Sequence, residues 1–215
     1  MYRIVGYYIC ERIAVPEWLN RGGAMLSVSE CFGGIHPRLD TCFFQNDYIG
    51  QKERDAYRKR WGFSDEKALE LEKEIGMLLQ KGLAEDGCFQ RLSDARHFYD
   101  SYFSKGNCIL VSVSTSEKYF DILKDELPSE RLDTNCLVSG VADENELLGF
   151  DILGWDIGYF HTFLCNCLQE MLPNAKFNSY GLLENTFEET AAFSAQIQGY
   201  GEPVLWVPCR IGKCV

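Results

Sequence analysis

His161 and Cys165 are the residues best suited by type to do chemistry. An imidazole can take a thiol's proton, and both side chains can ligate a metal. They lie four apart in a stretch whose pattern predicts one helix. Phe160, Phe163, Leu164, Cys167, Leu168, Met171 and Leu172 follow the helical repeat, and Pro173 closes it. On that helix both would project from one face, with Asp151 and Asp156 just upstream. The bland alternative is that both merely border the apolar stripe, since helix neighbours at this spacing arise freely. Zinc needs at least three protein ligands and local spacing places two, so no metal is assigned and no cofactor is expected.

Other reactive patterns reduce to ordinary structure. Ser64-Asp65-Glu66-Lys67 has the Ser-x-x-Lys spacing of serine acyl-enzymes. The companion elements are missing, and the same four residues read as a helix N-terminus with acids in its first turn. Cys165/Cys167 and Cys209/Cys214 are the close cysteine pairs, and neither has the two-residue gap of a zinc knuckle or redox site. Lys52, Arg54, Arg58, Lys59 and Arg60, with Tyr57 and Trp61 between them, form one basic cluster. Glu53 and Asp55 interrupt it, and a solvated helix explains it better than single-stranded nucleic acid does. Neither a dinucleotide fingerprint nor a P-loop occurs. The balance leans away from an enzyme.

Charge is the stronger signal. From Leu132 to Cys209 there are eleven carboxylates and one base, Lys176, in a stretch rich in Leu, Phe and Trp. Residues 1–60 carry nine bases and seven acids, so the formal net charge of −11 is regional. A folded acidic surface repels phosphate backbones and anionic lipid and suits a basic protein partner. The exposed candidates for such a contact are Asp143, Glu144, Glu146, Asp156, Glu184, Glu188 and Glu189.

The elements that must position these groups are mixed. With 215 residues, 46% hydrophobic and 25% charged, the chain reads as a single globular domain. Residues 1–50 are strand- and loop-rich, 51–130 mainly helical, and 131–215 an acidic α/β part. Strands are expected at Tyr2–Ile9, Met25–Ser29, Thr41–Phe44, Ile109–Val113, Leu147–Leu153 and Val204–Val207. Helices are expected after Ser64, from a Ser93 cap to Gly106, from Thr115 to Pro128, over Phe160–Leu172, and from the Thr186/Glu189 capping box to Gly199. Without a steady βαβ rhythm the fold class is α+β, helices packed on a mostly antiparallel or mixed sheet. The ten cysteines read as free thiols in a reducing, cytoplasmic setting. No apolar run approaches the roughly 18 residues of a membrane span, and the first residues do not read as a signal peptide.

Four segments carry a resemblance: G-F-D-I at Gly149–Ile152, F-H-T-F-L-C-N at Phe160–Asn166, N-S-Y-G-L-L at Asn178–Leu183 and E-P-V-L-W-V-P at Glu202–Pro208. Together they resemble uncharacterised bacterial cytosolic proteins found as immunity proteins beside secreted polymorphic toxins. The resemblance covers the last third of the chain and carries no catalytic residue. It implies an acidic binding protein that occludes a basic toxin or nuclease. A small-molecule hydrolase or transferase around His161, Cys165 and Asp151 is the alternative, and a structural subunit of an assembly is a third.

Overall fold

The structure is a computed structural model that describes residues 1–12, 35–37, 62–81, 83, 87–126, 146–156 and 159–214, together with Lys52, Asp55 and Lys59. Its centre is an antiparallel sheet. The strands are β1 (Tyr2–Arg12), β2 (Ile35–Pro37), β3 (Cys108–Ser116), β4 (Glu146–Asp156), β5 (Tyr159–Thr162) and β6 (Val207–Lys213). Their order is β2-β1-β3-β6-β4-β5, and every described pairing is antiparallel. Helices α1 (Asp65–Leu79), α2 (Leu92–Phe98), α3 (Glu117–Glu126) and α4 (Phe187–Ile197) pack on it, which makes the fold α+β.

Side-chain alternation explains why the strands are apolar on both sides. In β1, Ile4, Tyr7 and Ile9 face one way and Val5, Tyr8 and Cys10 the other, the parity being reset by a bulge between Ile4 and Gly6. On one face, Val5, Tyr8, Val111, Val113, Leu153, Cys209 and Ile211 form a core with Phe120 and Leu123 of α3. The opposite face is divided. Its β1/β3 half lies under Leu71 and Ile75 of α1, Ala95 and Phe98 of α2, and the aromatics Tyr102 and Phe103. On its β4/β6 half, Phe150, Ile152 and Trp206 pack against Phe163, Leu164, Leu168 and Phe187, Phe193 and Ile197 of α4.

Three expectations are corrected here. The stretch 160–172 is not one helix: β5 comes first, then two short 3-10 turns, Phe163–Asn166 and Leu168–Met171. Cys167 sits between them in the left-handed region at φ 56°. Tertiary pairing overrides the helical pattern because Phe160 and His161 are drawn into register with Trp155 and Gly154. The last strand runs over Val207–Lys213 rather than Val204–Val207. The helix expected from Ser93 begins at Leu92, with Arg91 at the cap and no side-chain cap bond. It widens into a π-turn at Tyr99–Phe103. The strands expected at Met25–Ser29 and Thr41–Phe44, and most of the basic cluster, lie outside the described residues.

Candidate functional site

β4 carries Asp151 at its middle, 1% exposed. Its Oδ1 accepts the Ile152 N–H at 2.8 Å and the Thr162 hydroxyl at 2.7 Å. Across the ladder it stands opposite Cys209. Burial pushes the Cys209 thiol well above its ordinary value, and the Asp151 charge adds to the shift. Asp151 therefore ties β4 to β5 and helps keep a buried thiol protonated.

His161 belongs to the other face. Alternation puts Asp151 and Leu153 on the side of Phe160 and Thr162, so His161, in register with Gly154, points the opposite way. The missing Cβ of Gly154 makes that position possible. A methyl group there would stand 2.6 Å from Val204 Cγ2, 2.9 Å from Trp206 Cζ3 and 3.0 Å from His161 Nε2. The imidazole is 6% exposed and stacks on Trp206, with ring centroids 5.5 Å apart and planes at 26°. Its Nε2 lies 2.9 Å from Oε2 of Glu202, whose side chain is 37% exposed.

Glu202 arrives through a loop anchored on Trp206. The Trp206 carbonyl accepts from the Ser194 hydroxyl and from Gln198 Nε2, both at 2.6 Å, and its indole N–H donates to the Tyr200 carbonyl at 3.1 Å. Gly201 packs on Asn166, whose Cβ would be 3.1 Å from an added methyl. The Asn166 Nδ2 and the amide of Gln169 are buried without hydrogen-bond partners among the described residues. His161 and Glu202 meet as a close electrostatic pair, with the ring held in place by its stacking on Trp206. Glu202, not Asp151, is thus the acid at His161. Sequence reasoning missed it because only the pairing of both β5 and β6 with β4 brings these distant segments together.

Cys165 is not one helical turn above His161. It belongs to the 3-10 turn after β5, so the shared helix face does not exist. The other reactive patterns are structural. Ser64 Oγ accepts the Lys67 backbone N–H at 3.3 Å as the cap of α1, while Lys67 Nζ turns to Glu70 at 3.2 Å. Cys209 and Cys214 are buried in different cores on opposite faces of the sheet. Among the described residues, no group of three or more His, Cys, Asp or Glu could hold a metal ion.

The acidic candidates separate. Asp143 and Glu144 lie outside the described residues, and Asp156 ends β4. Glu146 is exposed, 3.7 Å from Lys213 Nζ. Glu184, Glu188 and Glu189 are exposed around the start of α4. Glu189 is already engaged in the capping box, accepting the Thr186 N–H at 2.8 Å, and that bond holds its carboxyl below the ordinary value. Glu184 and Glu188 are the ones left to face outward.

The four segments that carry the resemblance meet around β4. Gly149, at φ +151°, lets Leu182 and Asn178 approach where a Cβ would be 2.8 and 2.9 Å away. Leu183 then exchanges both backbone hydrogen bonds with Phe150, at 2.9 and 2.7 Å. Asn178 closes the turn, donating to the Leu148 carbonyl at 2.6 Å and accepting from Tyr180 N–H at 2.8 Å. No protein-family model, curated protein or solved structure matches the chain.

Proposed function

We propose that the protein is an acidic binding protein of the immunity type, one that covers the basic surface of a toxin or nuclease. The observation that carries the reading is the exposure of Glu184 and Glu188 at the start of α4, in a region where acids far outnumber bases. Like-signed carboxylates on a fixed scaffold speed encounter with a cationic partner, and a few buried contacts then set the lifetime of the complex. Among the described residues no helix is long and apolar enough to cross a membrane.

The test is affinity capture from the native cell's lysate and secreted proteins, at low and high salt, with wild type and a Glu184→Lys/Glu188→Lys variant. Glu189 is left intact because its reversal would damage the cap. One basic protein held by wild type, and lost both in salt and in the variant, supports the reading. Capture that ignores the two reversals, or no capture at all, sinks it.

One contact favours a second reading, a small-molecule hydrolase or transferase: the 2.9 Å approach of Glu202 to His161. In that reading Glu202, rather than Asp151, is the acid beside His161. If His161→Gln alters only stability, and Cys165 in the folded protein ignores iodoacetamide, the enzymatic reading is finished.

A further inference from the structure

We propose that a cleft between residues 173–176 and the first two turns of α4 is the anchor socket of the partner interface, shaped for an arginine side chain of the basic protein. The inference rests on the immunity-type reading and names the contact that would hold the complex once charge has brought it together. The cleft has a volume of about 440 Å³, room for one large side chain.

Two local structures fix its walls. The Lys176 N–H donates to Asn185 Oδ1 at 3.0 Å and the Glu184 N–H to the Lys176 carbonyl at 2.9 Å, which ties the 173–176 stretch to the entry of α4. The capping box sets the other wall by holding Glu189 on Thr186. Pro173 on one wall and Ala192 on the other are both exposed, so their apolar surface is open to a partner.

Charge selects the occupant. Lys176 and Glu189 line the cleft, and the exposed Glu184 and Glu188 flank it, one beside Asn185 and the other one turn before Ala192. One base against three acids favours a cation. Thr186 binds only Oε2 of Glu189, which leaves Oε1 for an incoming donor, and the exposed Asn174 carboxamide adds an acceptor. Acceptors beside apolar walls suit a planar guanidinium on its stem better than a compact, strongly hydrated ammonium. A tyrosine or tryptophan anchor would gain nothing from the flanking carboxylates. Lys176 opposes the arginine, so its removal should tighten the contact.

The experiment is an amide-resonance titration of the whole protein with the N-acetyl amides of arginine, lysine and tyrosine. The arginine probe should saturate near about 5 mM, an affinity within reach of a fragment that size, with shifts confined to residues 173–176 and 184–193. Lys176→Gln should tighten its binding roughly threefold, the scale of one exposed charge pair. Ala192→Trp, at an exposed position of α4, should fill the cleft and abolish binding while the remaining amide resonances stay in place. Lysine or tyrosine probes binding as well as arginine would overturn the proposal. So would an unchanged affinity in Lys176→Gln, or the absence of shifts in folded wild type. Repeating the capture experiment with Ala192→Trp separates the two ideas. A basic protein held equally by wild type and Ala192→Trp removes the socket and leaves the immunity-type reading standing, whereas no capture by wild type sinks that reading and the socket's role with it.

Discussion

Gly149 and Gly199 both sit at positive φ, yet a methyl group should affect them very differently. At Gly199 nothing lies within 4 Å of an added Cβ, so Gly199→Ala should cost about 1 kcal/mol of backbone strain. At Gly149 the methyl would also strike Leu182 and the Leu183 carbonyl, and Gly149→Ala should cost roughly 2–5 kcal/mol. Urea unfolding of the two variants checks the contrast, and equal losses would refute the close-approach argument. The thiols divide as clearly. Cys209 is buried with its pKa raised, so iodoacetamide should spare it in the folded protein, whereas half-buried Cys167 should react. Mass mapping of the alkylated sites reads this directly. Candidate residues were legible in the sequence by type but not by partner. Asp151 and His161 lie ten residues apart, and only strand parity reveals that they face opposite ways.

Helix α4 shows how far local signals reach. Its capping box is written in four residues, and both halves form: Thr186 Oγ accepts the Glu189 N–H at 3.2 Å while Glu189 reaches back to the Thr186 N–H. Thr186→Ala should therefore cost about 1 kcal/mol in thermal or chemical unfolding. Because folding lowers the Glu189 pKa, its contribution is full above the ordinary carboxylate value of 4.5 and fades as pH falls through the lowered one. Melting curves of wild type and Glu189→Gln should accordingly differ at neutral pH and converge in acid. The start of α1 was legible for the same reason, since Ser64 caps it from three residues away. Residues 160–172 were not, because their apolar side chains serve two cores: Phe160 enters one and Phe163, Leu164 and Leu168 the other. A helical template cannot describe a segment whose two ends pack on opposite faces of a sheet. β6 was obscured by Pro208, a residue that argues against a central strand. Here it has a use, its carbonyl accepting the buried Thr115 hydroxyl at 2.7 Å.

For the molecule as a whole, the buried Cys209 thiol and three tyrosines set the alkaline limit. Burial raises the pKa of Tyr2, Tyr99 and Tyr102, with Glu188 adding to the shift at Tyr2 and Glu74 at Tyr102. Unfolded tyrosines ionise at 10.0, so their contribution is full below that pH and is lost as pH climbs toward the raised values. Urea midpoints should stay level up to about pH 9, fall first as the Cys209 thiol's ordinary value is passed and again beyond 10, and the second fall should be shallower in Tyr102→Phe. A midpoint that holds beyond that range would show that the rings ionise without penalty. The α+β class was readable from mixed periodicities, but the strand order was not, because it depends on which segments meet last. β6 lies between β3 and β4, so the sheet is two separate ribbons, β2-β1-β3 and β4-β5, until residues 207–213 arrive. On a ribosome, both ribbons would emerge with a bare inner edge and wait for the strand that joins them. That interval sets a kinetic hazard: unpaired edges of two apolar ribbons can recruit other chains, and the final non-local closure is slow. Cells making this protein therefore have most to gain from a chaperone during the seconds before β6 is translated, when its later stability offers no protection.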